Sequence, residues 1–450
     1  MRIHFIAIGG SAMHNLAIAL HKKGMLVTGS DDFIFEPSAS RLARYGLFPS
    51  ESGWRPEVIN RQLDAVILGM HARADNPELL RAQELGLRIY SYPEYIYEQS
   101  KDKFRVVIGG SHGKTTITSM ILHVLNYYNH EIDYLVGAQL EGFDTMVKLT
   151  DSAPVIIIEG DEYLSSAIDR RPKFHLYNAN LAVISGVAWD HVNVFPTFEN
   201  YLTQFSIFID TIMPDGELIF CEDDAELVKM VNEKKNLKAT GYQIPLHAIE
   251  NGITHLEPGH QELKIFGNHN LMNLSAARQV CERLGISIPE FNEAIKSFKG
   301  ASKRLELLFS DENTNVYKDF AHSPSKLKAT IEAVKTQFEE RKLVACIELH
   351  TFSSLNKKFL LQYHDTMFNA DNPIVYIDKK TFEQKNIIPF SETDIKNAFN
   401  DKRITYFDNA DNLAQYLLEL DFSHTNLLLM SSGNYGGMDL GKLARELNNN

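Results

Sequence analysis

Cysteine is scarce in this sequence of 450 residues, and its three cysteines lie far apart, at Cys221, Cys281 and Cys346. An odd number at such spacings matches neither a disulfide framework nor the ligand spacing of a zinc site. Free cysteines behave as small apolar residues and are usually buried. We therefore expect three buried thiols in a protein of a reducing compartment.

Long apolar runs and an excess of positive charge are also missing. No segment approaches the roughly 18 apolar residues that span a membrane, and the N-terminal run 3–8 is too short for a signal peptide. The net charge of −13 argues against a nucleic-acid-binding protein that relies on a basic face. Anionic nucleotides remain compatible with this charge, because backbone donors and a few cations bind them locally. The sequence predicts a soluble, cytoplasmic protein without membrane or nucleic-acid partners.

What the sequence does contain is an alternation of short apolar runs with helical patterns along the whole chain. Strands are predicted at 3–8, 25–29, 65–68, 106–108, 154–159, 181–185, 343–348, 373–377 and 427–430. Such alternation is typical of parallel sheets covered by helices. The sequence therefore predicts an α/β fold.

Two of these strands run directly into a glycine pair, one before residue 9 and the other before residue 109. A strand followed by glycines opens many nucleotide-binding domains, so two such domains are expected, and a third begins near residue 300. At roughly 100–200 residues per domain, the length allows two to four domains. We predict three domains, covering residues 1–104, 105–299 and 300–450.

The sharpest local signal is the stretch 106–116, in which an apolar strand enters a glycine loop and a helix leaves it. Backbone N–H groups of such a loop converge on phosphate oxygens, and the helix N-terminus adds a partial positive charge. Lys114 is expected to reach the β- and γ-phosphates, and the Thr115 hydroxyl to bind Mg²⁺. Ile108 stands where the full consensus has its first glycine, so this is a shortened form. The residues expected to bind phosphate are Gly110, Ser111, His112, Gly113, Lys114, Thr115 and Thr116.

Candidate metal ligands follow two of the predicted strands. Glu159 ends the strand 154–159, and Asp190 and His191 follow the strand 181–185. Because the carboxyl edge of a parallel sheet faces the ligand crevice, Glu159 and His191 are candidate metal ligands beside Thr115. Mg²⁺ prefers oxygen ligands, so a histidine contact would be unusual. An acidic turn and a structural histidine are the alternatives for these positions.

The first glycine pair, Gly9 and Gly10, gives a weaker pattern. Ala7 and Ala12 occupy positions where a dinucleotide fingerprint has glycine. Asp31 follows the second strand, where an acidic residue can bind a ribose hydroxyl. Taken alone, this region favours a dinucleotide such as NAD.

Three further stretches, with the glycine loop, resemble ordered motifs of the Mur ligases of peptidoglycan synthesis, and the resemblance runs over nearly the whole chain. They are Gly-Asn-His-Asn-Leu-Met-Asn at 267–273, Lys-Asp-Phe-Ala-His-Ser-Pro at 318–324 and Met-Ser-Ser-Gly-Asn-Tyr-Gly-Gly at 430–437. The resemblance implies a Rossmann-like N-terminal domain, a central phosphate-loop ATPase domain and a Rossmann-like C-terminal domain.

The resemblance also implies a division of labour among these domains. The first would bind the UDP part of UDP-N-acetylmuramate, and the second would bind ATP with Mg²⁺. Residues implied for UDP are Gly9, Gly10, Ser11 and Asp31. Those implied for adenine are Asn270 and Asn273, and those for the phosphates and ribose are Arg304 and Asp319. The implied catalytic group is Lys114, Glu159, His191 and Arg304, and the implied metal ligands are Thr115, Glu159 and His191.

The amino donor is expected to bind the third domain. Ser206 stands where some family members have a carbamylated lysine, which implies the branch that acts directly on UDP-N-acetylmuramate. One type in that branch adds L-alanine, and another, of cell-wall recycling, adds the tripeptide L-Ala-γ-D-Glu-meso-diaminopimelate. Thr351 and Ser354 replace two arginines of the alanine-adding type, so we expect the tripeptide, with L-alanine as the alternative. The implied donor-binding residues are His322, His350, Ser432, Gly433 and Asn434.

The implied reaction activates the lactyl carboxylate of UDP-N-acetylmuramate as an acyl phosphate, which the donor amine then attacks. Two rival functions follow from parts of the sequence. An NAD-dependent dehydrogenase would use the first glycine pair, but its fingerprint is incomplete. An ATP-driven switch would need the phosphate loop but not the later motifs. The sequence as a whole favours an ATP-dependent ligase.

Overall fold

Strands alternate with helices throughout the part of the chain that the computed structural model describes, residues 1–140, 142–189, 194–301 and 304–447. The predicted α/β fold is thereby confirmed. The chain divides into two compact units, Met1–Gln243 with Ala276–Phe291, and Ile244–Ser275 with Asn292–Asn450. The finer division into three domains at residues 104 and 300 stays a prediction.

The first unit begins with a four-stranded parallel sheet of order β2-β1-β3-β4. Its central strand is buried on both faces, as expected where helices cover both sides of a parallel sheet. Its elements are β1 (Arg2–Ile6), α1 (Ser11–Lys22), β2 (Leu26–Ser30), α2 (Ser38–Arg44), β3 (Ala65–Leu68), α3 (Pro77–Glu84), β4 (Ile89–Ser91) and α4 (Tyr92–Ser100).

A seven-stranded sheet of order β11-β10-β9-β5-β8-β6-β7 completes the first unit. All neighbours in it are parallel except β6 and β7. Its elements are β5 (Phe104–Gly109), α5 (Lys114–Tyr127), β6 (Ile132–Leu135), β7 (Val147–Lys148), β8 (Val155–Glu159), β9 (Leu181–Ile184), α6 (Phe198–Asp210), β10 (Glu217–Cys221), α7 (Ala225–Glu233) and β11 (Lys238–Tyr242).

The strand order places both glycine loops at topological switch points. Strand β1 lies between β2 and β3, and strand β5 lies between β8 and β9. Chain connections leave in opposite directions from the carboxyl ends of such strands, which opens a crevice there for a ligand. Each glycine loop therefore starts where an α/β sheet binds its ligand.

The second unit contains two sheets. A small antiparallel sheet has the order β12-β13-β14, and a larger one has the order β15-β16-β20-β17-β18-β19, parallel except between β15 and β16. Apolar residues bury both faces of the larger sheet. Helices α8 and α9 contribute residues to both units. The elements are β12 (His247–Glu250), β13 (Ile253–Leu256), β14 (Gln261–Leu263), α8 (Asn268–Arg283), α9 (Ile288–Ile295), β15 (Glu306–Ser310), β16 (Asn315–Asp319), α10 (Pro324–Gln337), β17 (Lys342–Glu348), α11 (Lys357–Leu360), β18 (Asn372–Tyr376), α12 (Lys379–Lys385), α13 (Glu392–Phe399), β19 (Thr405–Phe407), α14 (Ala410–Glu419), β20 (Thr425–Met430) and α15 (Leu440–Glu446).

Three sequence-based expectations can be compared directly with these elements. The first strand was predicted to run to residue 8 but ends at Ile6, because Ala7 has a positive φ of 68° and turns the chain out of the sheet. Cys221, Cys281 and Cys346 are free and buried, as predicted. Within the described residues, no helix is long and apolar enough to cross a membrane.

Candidate active site

The second glycine loop, which follows strand β5, is hydrogen-bonded to the residues that follow strand β9. The Ser111 N–H donates to Gly186 O at 3.0 Å, and the Ser185 N–H donates to Gly109 O at 3.1 Å. The Ser185 hydroxyl also donates to His112 O. Gly110 has a positive φ of 130°. A Cβ there would overlap the Ser185 hydroxyl and lie 2.8 Å from the Ser185 backbone nitrogen. The loop conformation therefore requires glycine at residue 110.

Helix α5 starts immediately after this loop. Gly113 adopts the left-handed region with φ +78° and ends the loop, and the helix begins at Lys114. Its first N–H groups have no partner within the helix and carry a partial positive charge. The strand, loop and helix thus follow one another in the order that the sequence predicted, a geometry suited to bind an anion.

Lys114 is the cation of this loop. Its ammonium donates to Gly110 O at 2.5 Å and to Glu162 Oε2 at 2.7 Å. Burial alone lowers the pKa of Lys114, but the negative charges of Glu162 and Asp161 outweigh it and raise the pKa overall. The side chain is therefore a charged ammonium held at the mouth of the loop.

The carboxylate of Glu159 lies beside the same loop, at the carboxyl end of β8. Its Oε1 accepts from the Thr115 hydroxyl at 2.7 Å, and its Oε2 accepts from the Gly137 N–H at 2.8 Å. Burial raises the pKa of Glu159, and these two hydrogen bonds oppose that shift. Glu159 and Thr115 offer hard oxygen donors of the kind Mg²⁺ takes, so this pair fits the expected metal. His191 and Asp190 lie outside the described residues.

Sequence reasoning missed Tyr201 at this site and considered Glu162 only as the second choice after Glu159. Glu162 is fully buried and pairs with Lys114, while the Tyr201 hydroxyl lies 3.1 Å from Ser111 Oγ and donates to Glu162 Oε1 at 3.4 Å. A signal for Glu162 existed, because three carboxylates within residues 159–162 follow a buried strand near one loop lysine. Tyr201 carries no such signal, since it occupies an ordinary buried position of helix α6.

The first glycine loop has a different set of contacts. The Gly9 N–H donates to Asp31 Oδ2 at 2.7 Å, and Gly10 O lies 3.0 Å from a ring nitrogen of His14. Burial of Asp31 raises its pKa to about 6, although the bond from Gly9 opposes this shift. Ser11 is exposed and begins helix α1. The residues predicted to bind UDP therefore lie close together, and the Asp31 carboxylate is bonded to the backbone of the first glycine loop.

In the second unit, the motif 267–273 lies near Arg304 and Asp319. His269 is half-buried, and desolvation lowers its pKa, while the charge of Asp319 raises it and that of Arg304 lowers it further. The Asn270 amide donates to Phe266 O at 3.0 Å, and Asn273 is buried. The motif 267–273 and the motif 318–324, which some forty residues separate along the chain, are thus neighbours within this unit.

Asp319 and Arg304 each have a defined local partner. The two carboxylate oxygens of Asp319 accept from the N–H groups of Leu305 and Ala321, both at 2.7 Å. The Arg304 guanidinium lies 4.9 Å from the centroid of the Phe320 ring. Asp319 fixes the chain at Leu305, the residue that follows Arg304.

The predicted donor-binding residues all follow strands of the larger sheet of this unit, at its carboxyl edge. His322 follows β16, and its ring nitrogen Nδ1 lies 2.9 Å from Phe320 O. His350 follows β17, and its carbonyl oxygen accepts from the Lys385 ammonium at 2.9 Å. Tyr363 donates to His322 O at 2.5 Å. The two histidines therefore sit at the edge where parallel sheets bind ligands.

The segment after β20 is held by Glu348. This buried carboxylate accepts from the Ser431 hydroxyl and, at 2.9 Å, from the Tyr435 N–H. A Cβ at Gly433 would lie 2.7 Å from Glu348 Oε2, so a larger residue there would displace this carboxylate. The Ser432 hydroxyl is buried and makes no hydrogen bond with any described residue, whereas Asn434 is exposed. Glu348 thus supports the loop from beneath and leaves its outer residues for a ligand.

Comparison with known proteins identifies the arrangement. Residues 2–104 match the model of the Mur ligase family catalytic domain, and residues 108–281 match that of the Mur ligase middle domain. The UDP-N-acetylmuramate–L-alanine ligase of Caldanaerobacter subterraneus is 30% identical, over 96% of this chain and 95% of that protein.

Two solved structures share the fold over the whole chain. The UDP-N-acetylmuramate–alanine ligase of Thermotoga maritima has a TM-score of 0.68 at 20% identity, with 100% of this chain and 98% of that chain covered. The murein peptide ligase of Psychrobacter arcticus has a TM-score of 0.64 at 22% identity, with 100% and 99% covered. The chain belongs to the Mur ligase family, whose members are ATP-dependent ligases that form amide bonds in peptidoglycan synthesis.

Proposed function

We propose that this protein joins the lactyl carboxylate of UDP-N-acetylmuramate to the α-amino group of a donor, with conversion of ATP to ADP and phosphate. The observation that carries the proposal is the grouping of Lys114, Thr115 and Glu159 around one glycine loop. A strand-end carboxylate, a loop hydroxyl and a charged lysine are the groups that phosphoryl transfer from a nucleotide requires.

The reaction needs two steps, because a carboxylate has no good leaving group. A lactyl carboxylate oxygen attacks the γ-phosphorus, the bond to the β,γ-bridging oxygen breaks, and ADP leaves. The donor amine then attacks the acyl carbon, phosphate leaves with the bonding electron pair, and the nitrogen loses a proton. Lys114 would stabilise the negative charge that develops in the first step.

A Mg²⁺ ion held by Thr115 and Glu159 would neutralise phosphate charge when bound. Glu159 suits this role because its buried carboxylate already has an elevated pKa, which reflects the need for a counter-charge. His191 remains a proposed third ligand.

The other proposed roles follow the family resemblance. Gly9, Gly10, Ser11 and Asp31 would hold the UDP part. Asn270, Asn273, Arg304 and Asp319 would contact the nucleotide, and the expected donor residues at the carboxyl edge of the large sheet would receive the amine.

L-Alanine is our first candidate for the donor. The curated relative that is 30% identical over 96% of this chain is named an L-alanine ligase. The murein peptide ligase resembles this chain at 22% identity, which supports the shared fold alone. The tripeptide expected from the sequence is therefore the second candidate.

One local observation favours that second candidate. Thr351 and Ser354, which replace the two arginines, bond to each other: the Thr351 hydroxyl donates to Ser354 Oγ, and the Ser354 hydroxyl to Thr351 O, both at 3.0 Å. Neither side chain carries a cation for the carboxylate of a free amino acid. Each lost charge-assisted contact would cost on the order of 1.5–3 kcal/mol, which a larger donor could recover through remote contacts.

Lys385 is a cation that could replace the arginines for either donor. Its ammonium lies 3.9 Å from the centroid of the Phe352 ring, within the segment that contains Thr351 and Ser354. Burial lowers the pKa of Lys385, and its ammonium donates to the His350 carbonyl oxygen at 2.9 Å. We propose that Lys385 binds a donor carboxylate.

A competition assay decides between the donors. Equal concentrations of L-alanine and the tripeptide are supplied with ATP and UDP-N-acetylmuramate, and the products are resolved by mass. Predominant UDP-N-acetylmuramoyl-L-alanine supports the first candidate, and predominant tripeptide adduct supports the second. Absence of both adducts, with ATP consumption independent of UDP-N-acetylmuramate, would contradict the ligase reaction itself. Lys385→Met should raise the KM for the donor alone, while the exposed control Lys380→Met should leave it unchanged.

A further inference from the structure

The small antiparallel sheet of the second unit has one polar face rich in metal-binding groups. Its register pairs Glu250 with Ile253, and His255 with both Ala248 and Glu262. Because side chains alternate along a strand, Glu250, His255 and Glu262 lie on the same face. The opposite face carries the buried Leu256 and Leu263, so it packs inward.

The turn between β13 and β14 brings a second histidine onto the polar face. His260, with a positive φ of 49°, stacks on His255 with ring centroids 3.9 Å apart. Its Nδ1 lies 3.0 Å from Glu257 Oε1, and its Nε2 lies 3.6 Å from Glu250 Oε2. The β13–β14 turn thus places His260 against Glu250 and His255 of the hairpin β12–β13.

Three potential ligand atoms converge at this place. Glu250, His255 and His260 each offer one atom, and these atoms all lie within 4.8 Å of one another. The Nδ1 of His255 is buried and has no hydrogen-bond partner among the described residues. An unpaired buried ring nitrogen on a residue of this group is an incomplete polar arrangement, and a bound cation could complete it.

The chemistry of the set selects a class of ion. Two imidazoles and a carboxylate suit Zn²⁺ and neighbouring divalent ions, whereas Mg²⁺ and Ca²⁺ prefer oxygen ligands alone. Ligands at about 2.0–2.1 Å from a tetrahedral ion lie roughly 3.3 Å apart, so atoms now up to 4.8 Å apart would have to move closer together around it. The parallel rings would have to tilt, since each must direct a nitrogen lone pair at one ion.

We propose that Glu250, His255 and His260 form a zinc-type metal site, separate from the magnesium-dependent chemistry of the glycine loop. Water completes the tetrahedron. A cation there links strands β12 and β13 to the following turn, so its effect is on the stability of this sheet and not on the ligation reaction.

Zinc titration of the full-length protein by calorimetry, without nucleotide, tests the proposal. The double variant H255A/H260A should lose one equivalent of bound Zn²⁺ relative to the wild type. His247→Ala is the matched control, because His247 lies on the same sheet but on its opposite face, and it should keep that equivalent. Glu250→Gln, at an exposed position, should weaken binding while leaving the histidines in place.

Cobalt provides a second readout that depends on geometry. Co²⁺ in the wild type and in His247→Ala should give the visible bands of a tetrahedral site, and these should vanish in H255A/H260A. Ligase turnover with Mg²⁺ should be equal in all variants, which also shows that they fold. Equal zinc stoichiometry in the wild type and the double variant, or no zinc binding by the wild type, would overturn the proposal.

Discussion

The two glycine loops of the first unit begin alike and then diverge in their chemistry. Each follows the switch-point strand of a parallel sheet and leads into a helix. The loop after β5 is followed directly by Lys114, which bonds back to it, whereas the loop after β1 has no cation, and its Gly9 amide is bonded to Asp31. The backbone of a glycine loop thus provides N–H groups that can donate to an anion. The charged side chains nearby decide how many of these N–H groups remain available to a ligand.

The carboxylates make the same contrast. Glu162 pairs with Lys114, and Glu159 accepts from the Thr115 hydroxyl. We propose that Lys114 exchanges Glu162 for phosphate, and that Glu159 exchanges the hydroxyl for a metal. Asp31 holds a backbone amide and has a pKa raised to about 6 by burial. We infer that the second loop is arranged for phosphoryl transfer, and the first for binding only.

The largest effect is expected for Lys114→Ala. Removal of the loop cation should lower kcat by about 10²–10³-fold or more, since it stabilises charge that develops in the transition state. The variant also leaves Glu162 buried without its cation, a change that typically costs about 3–5 kcal/mol of stability. Steady-state kinetics and urea unfolding measure the two effects.

A double variant separates those effects. K114A/E162Q removes both charges, so it should recover stability without recovering activity, while exposed Lys148→Ala serves as the neutral control. Near-wild-type turnover of a folded Lys114→Ala protein would contradict the assignment of the loop.

The second prediction compares the loops through their glycines. In Gly110→Ala the added Cβ meets Ser185, and φ of +130° is unfavourable for alanine, so kcat/KM for ATP should fall by about 5–150-fold, equivalent to 1–3 kcal/mol. In Gly9→Ala the nearest atoms are Ile34 Cγ1 at 2.8 Å and Asp31 Oδ2 at 2.9 Å, both in side chains that can move. That variant should raise only the KM for UDP-N-acetylmuramate, by a smaller factor.

A partner variant tests the steric cause. G110A/S185G removes the hydroxyl that the new methyl group overlaps, so it should restore part of the lost kcat/KM. If Gly9→Ala impairs ATP use as strongly as Gly110→Ala, the proposed division between the loops is wrong.

Glu159→Gln should shift the magnesium dependence. The amide keeps the size of the side chain but removes the charge that would hold the ion, so the Mg²⁺ concentration for half-maximal rate should rise about tenfold or more. Exposed Glu226→Gln, in the same unit, is the control. If the magnesium titrations of Glu159→Gln and wild type superimpose, Glu159 does not bind the metal. Glu162 would then be the next residue to substitute.

Residues of this site that are neighbours in the sequence could be predicted, and residues that come from separate segments could not. Lys114 and Thr115 could be proposed from the sequence because strand, glycines and helix are adjacent, so one local pattern contains them all. Gly137 and Tyr201 come from segments after β6 and in α6, and only the strand order brings them to the loop. Their sequence neighbourhoods show ordinary loop and helix patterns, so no local signal marked them.

The donor residues show a second limit. Glu348 immediately precedes the segment that contains His350, yet its carboxylate lies beneath another loop and bonds to Ser431 and Tyr435. A buried acid after a strand has the same appearance in sequence whether it supports a loop or contacts a ligand. Only the direction of its hydrogen bonds distinguishes the two.

The smallest expected effect concerns the first loop and is thermodynamic. The pKa of Asp31 rises from 3.8 to about 6 on folding, so between these pH values the folded chain binds more protons than the unfolded chain. The free energy of unfolding contributed by Asp31 is therefore present at low pH and is lost as the pH rises toward 6, by at most about 1.4 kcal/mol per pH unit. Asp31→Asn keeps an oxygen for the Gly9 amide but cannot titrate, so this slope should disappear. Urea unfolding across that range, with exposed Asp102→Asn as control, measures it. An unchanged slope in Asp31→Asn would show that the carboxylate ionises normally, and the contrast between the loops would then rest on Lys114 alone.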